Sequence, residues 1–311
     1  MNNFSVIIDG MRVLGIDIGF GQVKVVSEGF SLKFPSQIAQ FLEGELSDVP
    51  VVEHNGMWYV VGEEATVFRH KLSLSTVELL IKYSPVLLKR AIMEVGEGGE
   101  YFVVSGLPPR FRHMGEEFSK ALQTVEGVRK VLVVPQGAGI LEDVGDYVRS
   151  QGGALVLDIG FNTVDFLSVR VKGDDVVKER GGTIEGLGVK SAVEIFRSLL
   201  PAEAGFLRNE PYVFLVPYFT RGRLTLVGKE IFLQEEREKA SKLWTEQIYL
   251  RLQEEIGELI KSKPVFVVAG GGAYFLDRSL FERGVYVPVK PDFSNARGYY
   301  KLGLGVLNKG G

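Results

Sequence analysis

The sequence predicts an α/β protein built from two related halves, and three observations lead to this prediction. Segments with strand-like alternation and segments with helical spacing follow one another along the whole chain. Leu14–Val26 (LGIDIGFGQVKVV) and Leu155–Leu167 (LVLDIGFNTVDFL) share six of thirteen residues when they are aligned without gaps. Both segments place the tetrapeptide Asp-Ile-Gly-Phe at a predicted strand–turn–strand, which is the pattern expected of a duplicated unit.

Composition excludes several classes of function. The 311 residues correspond, at roughly 150 residues per domain, to one large domain or two ordinary ones. Thirty-six basic and 39 acidic residues give a net charge of −3, which excludes a broadly basic surface for direct binding of nucleic acid. The absence of cysteine excludes disulfides, thiolate catalysis and cysteine-ligated metals. The three histidines lack metal-binding spacing, and no nucleophile elbow accompanies them.

The sequence also predicts where the protein resides. No apolar run approaches the ~20 residues that span a bilayer, and the N-terminus lacks the basic region of a secretory signal. We therefore expect a cytoplasmic protein with no membrane partner. Residues 1–11 precede the first clear strand and form either an additional edge strand or an upstream extension, with Met11 as a candidate natural start.

The elements of the first half follow from alternation, helical spacing and turn residues. Asn55-Gly56 lies between two alternating runs and suits a two-residue type I′ turn. The segment from Ser105 to Pro109 is expected to end a short buried strand. In chain order we predict strands at Arg12–Ile18, Gln22–Val26, Val49–Glu53 and Met57–Val61, a helix at Leu72–Met93, a strand at Tyr101–Val104, a helix at Gly115–Val125, a strand at Val131–Pro135 and a helix through about Ser150.

The same reasoning gives the elements of the second half. The longest helix, Gln234–Lys261, carries an apolar stripe at helical spacing, and the buried strand Val265–Ala269 leads into three consecutive glycines. In chain order we predict a glycine-turned hairpin of Ala154–Ile159 and Val164–Val171, a helix at Gly188–Leu200, strands around Tyr212–Phe219 and Leu224–Leu226, the long helix, the buried strand and a closing helix at Gly298–Leu307.

The repeated hairpin has a specific chemistry. Its aspartate stands at the end of a buried strand, and the backbone N–H groups of a glycine turn form a concavity that binds anions. Two such turns facing each other would cradle a polyphosphate, with Asp17 and Asp158 holding a hydrated Mg²⁺ between them. Lys24 can neutralise phosphate charge beside the first turn, whereas the second copy has Asp165 at that position. The two halves are therefore not equivalent in function.

At these residues the sequence resembles the actin-like ATPase superfamily. The segment Asp17–Lys24 is similar to its first phosphate loop, Leu157–Asp165 to its second phosphate loop, and Val265–Phe275 (VFVVAGGGAYF) to its adenosine motif. Gln136 falls where the superfamily places a glutamine or glutamate that orients water. The resemblance implies an actin-like, two-lobed ATPase fold, in which duplicated ribonuclease-H-like domains surround a nucleotide cleft.

The resemblance also implies the site residues and the cofactors, ATP or ADP with Mg²⁺. The catalytic residues would be Gln136, Asp17 and Asp158, and the two aspartates would bind the metal through water. Phe20 and Phe161 replace a serine and an acid of actin, so their phosphate contacts would fall to backbone N–H groups. The implied nucleotide-binding residues are Gly19, Phe20, Gly21, Gln22 and Lys24 in the first loop, Gly160, Phe161, Asn162 and Thr163 in the second, then Glu185, Gly188 and Lys190, and Gly270, Gly271, Gly272, Ala273 and Tyr274.

The implied domains follow the two repeats. Residues 1–150 would form the first lobe, with a small subdomain at about 36–74, completed by a C-terminal helix at about 290–311. Residues 151–289 would form the second lobe, with a small subdomain at about 186–262.

Local details near Asn55-Gly56, Ser105–Pro108 and Asn295–Tyr300 resemble the bacterial and archaeal plasmid-segregation actins of the ParM/StbA type, or a related archaeal or bacterial actin-like protein. This resemblance implies slow ATP hydrolysis, nucleotide-dependent filaments of the chain itself, and a cytoskeletal or DNA-segregation role with a DNA-binding adaptor. A small-molecule kinase and a non-polymerising scaffold ATPase of the same superfamily remain alternatives.

Overall fold

The computed structural model describes residues 10–42, 48–96, 98–210, 212–281 and 283–309. The edge strand or extension considered for the N-terminus therefore lies, up to residue 9, outside the described residues. The chain divides into two compact units. Residues up to Gly145, together with those from Phe293 onward, form the first unit, and Asp146–Asp292 form the second.

The first unit contains a five-stranded mixed sheet and a separate four-stranded sheet. Its strands are β1 (Met11–Ile18), β2 (Gln22–Ser27), β3 (Phe30–Pro35), β4 (Ile38–Phe41), β5 (Val51–His54), β6 (Met57–Val61), β7 (Lys71–Leu72), β8 (Glu100–Leu107) and β9 (Val128–Pro135). Its helices are α1 (Val77–Val95), α2 (Gly115–Gln123) and α3 (Ala138–Gln151), the last of which continues past the boundary between the units.

The larger sheet has the order β3-β2-β1-β8-β9. Strands β1, β2 and β3 pair antiparallel, whereas β8 and β9 extend the sheet in parallel. The smaller sheet, β5-β6-β4-β7, lies within the predicted small subdomain and is antiparallel throughout. Its β5–β6 connection confirms the predicted type I′ turn, because Asn55 and Gly56 both have positive φ, at 53° and 74°.

The second unit repeats the topology of the larger sheet. Its order is β12-β11-β10-β15-β16, with three antiparallel strands followed by two parallel ones, as in the first unit. This identity of strand order and direction confirms the duplication that the sequence repeat predicts. The elements are β10 (Gly153–Ile159), β11 (Thr163–Lys172), β12 (Asp175–Glu185), α4 (Val189–Leu199), α5 (Tyr212–Arg221), β13 (Arg223–Leu226), β14 (Lys229–Phe232), α6 (Gln234–Ser262), β15 (Phe266–Ala269) and β16 (Val285–Tyr286).

One element differs in type from the sequence prediction. The segment around Tyr212–Phe219 was expected to form a strand, because aromatic and β-branched residues dominate it. It forms helix α5 instead, and this prediction is wrong. Leu215 and Phe219, four residues apart, are both buried, so one face of the helix packs into the core beside α4. Tertiary packing outweighs the local strand propensity here.

The closing helix α7 (Ser294–Lys309) returns to the first unit and packs on β1 and β8. It begins four residues before the predicted start at Gly298. Helix α7 also lies against the start of α3, where a Cβ atom on Gly298 would stand 1.7 Å from the carbonyl oxygen of Gly139. Only glycine allows the two backbones to approach this closely.

Each unit has its own hydrophobic core. The core of the second unit includes the buried rings of Trp244, Phe196, Phe219 and Phe266. The core of the first unit lies between the larger sheet and helices α1 and α2, with Phe118 and Tyr101 among its buried rings. Within the described ranges, no helix combines the length and apolar character needed to cross a membrane.

A buried lysine joins two elements of the second unit. Lys263, which follows α6, is 4% exposed and forms an ion pair with Glu179 on β12. The hydrogen bond from Lys263 holds the pKa of the Glu179 carboxyl below its usual value. This pair therefore stabilises the end of α6 against the sheet while both groups are charged.

Candidate functional site

The first loop connects β1 and β2 and has a closely defined backbone. The N–H of Gly19 donates to the carbonyl of Gln22 at 3.1 Å. Ser36, 2% exposed and just beyond β3, donates its hydroxyl to the carbonyl of Gly19 at 2.6 Å and its N–H to the carbonyl of Gly21 at 3.1 Å. Ser36 thus fixes the loop from a neighbouring strand. The local Phe-Pro-Ser pattern does not indicate a contact 17 residues away, so the sequence alone does not predict this role of Ser36.

Asp17 lies at the centre of three predicted site residues in the first unit. Lys24 stands directly opposite Asp17 across the β1–β2 pairing, and its Nζ lies 3.4 Å from Asp17 Oδ2. Gln136 follows β9, and its Nε2 donates to Asp17 Oδ1, also at 3.4 Å. The N–H of Gln136 donates to the carbonyl of Leu107 at 2.8 Å, which anchors its backbone to the end of β8. The structure therefore brings together residues 17, 24 and 136.

The hydrogen bonds within this cluster are long. Asp17 is 6% exposed, and both of its contacts lie at the long end of the hydrogen-bond range, whose common values are about 2.7–3.2 Å. A carboxylate offers about four acceptor positions, and Lys24 and Gln136 take two of them. The remaining positions suit water molecules, and the long contacts allow the ammonium and the amide to turn towards a bound phosphate or a water molecule.

The second loop connects β10 and β11 and is held by the start of α4. Within the loop, the N–H of Gly160 donates to the carbonyl of Thr163 at 3.0 Å. The first N–H groups of the helix then donate to the loop: Gly188 to Asn162, Val189 to Gly160 and Lys190 to Phe161, at 3.3, 3.0 and 2.9 Å. Because these helix N–H groups are already engaged, the helix start positions the loop and does not itself offer them to an anion.

The second loop differs from the first in charge. Asp158 stands opposite Asp165 in the β10–β11 pairing, at the positions that Asp17 and Lys24 occupy in the first unit. Asp165 is 8% exposed and accepts hydrogen bonds from the hydroxyls of Thr183 and Thr163. Like charges at opposite cross-strand positions repel each other. The loops therefore differ in the residue opposite the aspartate, which is Asp165 in the second loop and Lys24 in the first.

The two phenylalanines that depart from actin have equivalent roles in the two units. Phe20 packs against the core of the first unit, and Phe161 packs against the core of the second. Each ring thus secures its glycine turn to the sheet below. The packing of each ring against the core accounts for the apolar residue at this position.

The glycine motif after β15 lies directly against the second loop. Gly270 has φ of +81°, and a Cβ atom there would stand 2.4 Å from the carbonyl oxygen of Ile159 and 2.6 Å from Asp158 Oδ1. The N–H of Gly270 donates to the carbonyl of Pro291 at 2.9 Å. Only glycine fits this turn, so the predicted adenosine motif and the predicted second phosphate loop are in contact.

The other predicted residues of the second unit surround the same loop. Glu185 ends β12 opposite Thr163 and is exposed, while Gly188 precedes α4. Gly271 and Gly272 continue the glycine turn, Ala273 is buried, and Tyr274 has a half-exposed ring whose hydroxyl donates to Asp292 at 2.7 Å. The structure thus places predicted residues 17–24 and 136 in the first unit, and residues 158–163, 185–190 and 270–274 in the second.

The donor set fits a hydrated Mg²⁺ better than a metal held by protein ligands alone. Among the residues that the structure describes, no three His, Cys, Asp or Glu side chains come together as a metal-binding group. Mg²⁺ is usually bound by one or two carboxylates, its own water molecules and the phosphates of a substrate. Asp17 in the first unit and Asp158 in the second are carboxylates of this kind, each near the end of its strand.

Two family models match the chain, one in each unit. Residues 15–139 match "Actin like proteins N terminal domain", and residues 156–282 match "Archaeal actin homologue MreB-like, C-terminal". Together the matches include both loops, Gln136 and the glycine motif.

Individual proteins are similar to the chain over nearly its whole length. An archaeal actin homologue from Thermoplasma volcanium is 25% identical, covering 93% of this chain and 98% of its own. A ParM filament structure from Clostridium botulinum has a TM-score of 0.77 at 21% identity, covering 95% and 99% of the two chains. An archaeal actin homologue in complex with ADP has a TM-score of 0.74 at 19% identity, covering 95% and 100%. These structures have the same actin-like fold as this chain.

Proposed function

The chain belongs to the actin-like ATPase superfamily, and from this premise we propose that it binds ATP with Mg²⁺, hydrolyses it slowly and assembles into nucleotide-dependent filaments. The observation that carries the proposal is the contact of Asp17 with both Lys24 and Gln136. These three residues come from separate parts of the sequence, and together they supply a carboxylate, a phosphate-binding cation and a water-orienting amide.

The second unit supplies complementary parts of the site. Its loop at Gly160–Thr163 is fixed by α4, and the turn at Gly270 contacts that loop. In the proposed complex, each repeated loop contributes to phosphate binding, and the glycine turn approaches the nucleoside. The ADP complex of the related archaeal actin homologue supports this choice of ligand.

The residues of the chain divide the catalytic work between them. Asp17 and Asp158 would hold Mg²⁺ through water, and the ion would supply positive charge to the phosphate oxygens. Lys24 binds a phosphate oxygen, and the loop N–H groups stabilise charge on the transferred phosphoryl group. Gln136 orients the attacking water, as a water-positioning glutamine does in GTPases. An amide is a poor base, so turnover is expected to be slow.

Filament assembly is the proposed biological output. The related ParM protein of Clostridium botulinum forms a 15-stranded filament, and the chain shares its fold over nearly its whole length. We propose that ATP favours the assembling conformation and that hydrolysis releases it, so that γ-phosphate contacts shift the population between two states. We also propose that the filament has a cytoskeletal or DNA-segregation role. In DNA segregation, a DNA-binding adaptor protein would connect the filament to the DNA.

Phosphate release and high-speed sedimentation, measured on the same samples, test the proposal. With ATP and Mg²⁺ we expect slow phosphate release and a pellet that dissolves as ATP is consumed; with ADP or without nucleotide the protein stays in the supernatant. Phosphate transfer to a small-molecule acceptor, without a pellet, would instead favour the kinase alternative. Hydrolysis without a pellet at any nucleotide concentration would favour a scaffold ATPase, and absence of nucleotide binding would overturn the proposal.

A further inference from the structure

Tyr212, which belongs to no sequence motif, contacts two predicted nucleotide-binding residues. The Lys190 Nζ lies 4.7 Å from the centroid of the Tyr212 ring. The same ring lies 5.8 Å from the centroid of Phe161, at an interplanar angle of 40°. Tyr212 begins α5, Lys190 lies in the first turn of α4, and Phe161 belongs to the second loop. The ring of Tyr212 therefore bridges two helix starts and the loop.

The position of Lys190 is unusual for a lysine. The N-terminus of a helix carries partial positive charge, so a cation in the first turn of α4 gains nothing from the helix dipole. Within the described ranges of the chain, no acidic side chain forms an ion pair with its ammonium. Lys190 is half-buried, and its N–H donates to the carbonyl of Phe161. Its three ammonium donors are thus held close to the second loop without a protein carboxylate.

The ring of Tyr212 stabilises the Lys190 ammonium, which neither the helix dipole nor an ion pair with a described residue stabilises. The face of an aromatic ring attracts a cation that lies within about 6 Å of its centroid. The ring is itself fixed, because Tyr212 packs against the core of the second unit. A fixed aromatic face restricts the flexible lysine side chain to few positions, and this lowers the entropy lost when the ammonium binds an acceptor.

We propose that Tyr212 is a positioning residue for nucleotide binding: its ring holds the Lys190 ammonium beside the second loop, ready to donate to oxygen atoms of a bound nucleotide. The inference rests on the proposed function, since it names a further part of the same site. Lys190 makes the contact with the nucleotide, and Tyr212 acts through Lys190. The tyrosine hydroxyl has no part in this role.

Affinity for ADP in four variants tests the inference. Tyr212→Leu removes the aromatic face and is expected to weaken ADP binding about two- to tenfold, since each tenfold corresponds to about 1.4 kcal/mol. Tyr212→Phe retains the face and should bind ADP as the wild type does. Lys190→Met should weaken binding at least as much as Tyr212→Leu. The double variant Tyr212→Leu/Lys190→Met should match Lys190→Met, because Tyr212 has no lysine left to position.

The chain offers a matched control in its first unit. Lys82 on α1 lies 5.4 Å from the ring centroid of Tyr83, so Lys82→Met removes a lysine from a similar contact elsewhere. This variant should keep the wild-type affinity. Thermal unfolding without nucleotide checks the fold of each variant, and Tyr212→Met, which conserves apolar volume, replaces Tyr212→Leu if that variant unfolds.

Two results would overturn the inference while leaving the proposed function intact. One is wild-type affinity for ADP in Tyr212→Leu. The other is a full additional loss on adding Tyr212→Leu to Lys190→Met, which would show that the ring acts by packing alone. Failure of the wild-type protein to bind any nucleotide would instead overturn the proposed function.

Discussion

Gln136 carries the most specific chemical prediction at the scale of a single residue. Its amide contacts Asp17 at 3.4 Å and is anchored through its backbone to the end of β8. Gln136→Ala removes the group that orients water but leaves the Asp17–Lys24 pair in place. We expect ATP affinity within about twofold of wild type and hydrolysis slowed by roughly tenfold or more, since positioning effects of this size are common. Single-turnover phosphate release measures the rate.

Gln123→Ala provides the control for this prediction. Gln123 ends α2 on an exposed surface of the first unit, so its removal should change neither affinity nor rate. Equal hydrolysis rates in Gln136→Ala and in wild type would contradict the water-orienting role. A large loss of ATP affinity in Gln136→Ala would show that the amide contributes to binding instead.

The sequence predicts a site residue well when that residue and its partners lie within one short motif. Asp17 and Lys24 were predicted because the first copy of a short repeated motif contains both, and their cross-strand contact follows from the hairpin. Ser36 and Tyr212 were missed because each contacts its loop across a long sequence separation and carries no motif of its own. Residues that contact a loop from a distant position in the sequence can be identified only once the fold is known.

At the scale of elements, the packing of α7 against α3 gives a stability prediction. A Cβ atom in Gly298→Ala would stand 1.7 Å from the carbonyl oxygen of Gly139, and a backbone atom cannot move aside as a flexible side chain can. Overpacking of this kind costs typically about 1–3 kcal/mol, so the midpoint of thermal unfolding should fall by several degrees. Differential scanning calorimetry measures the change.

Gly305→Ala is the matched control in the same helix. No heavy atom lies within 4 Å of a Cβ at Gly305, and the residue is exposed. Alanine is favoured over glycine in a helix interior by about 0.5–1 kcal/mol, so this variant should be as stable as wild type or slightly more stable. Equal stability of Gly298→Ala and wild type would show that the two backbones can separate without cost.

Elements with a strong periodic pattern and clear turn residues were predicted best. The hairpin at Asn55-Gly56 and the long helix α6 were predicted close to their observed bounds. Strand β12 was missed because Lys, Arg and Glu interrupt its alternation, and its pairing with β11 holds it in the sheet. Helix α5 was predicted as a strand because its composition favours strands and its burial on one face cannot be seen locally.

At the scale of the whole molecule, duplication explains both the likeness and the difference of the two units. Their larger sheets share strand order and direction, and each presents an aspartate and a glycine turn from the same place in the sheet. The position opposite that aspartate is Lys24 in one unit and Asp165 in the other. One fold used twice thus gives one loop with a lysine opposite its aspartate and one loop with a second carboxylate there, so the two units are not equivalent in charge.

The proposed binding of ATP with Mg²⁺ makes a prediction about the aspartates of the two loops. Asp17→Asn and Asp158→Asn each remove a carboxylate charge from a different loop while keeping its shape. A ligand at 100 times its Kd stabilises the folded state by about 2.7 kcal/mol, so ATP with Mg²⁺ should raise the unfolding temperature of wild type. The Mg²⁺-dependent increase in unfolding temperature is the difference between the value with ATP and Mg²⁺ and the value with ATP and a chelator. Each variant should lose most of this increase.

The double variant decides between one shared site and two separate ones. If both carboxylates hold the same hydrated ion, Asp17→Asn/Asp158→Asn should lose little more than either single variant, because the ion is already gone. The control is Asp146→Asn, because the Asp146 side chain is 99% exposed on α3. This variant should show the same Mg²⁺-dependent increase in unfolding temperature as wild type. Losses that add up in the double variant would contradict a single shared ion, since energetically independent sites behave in that way.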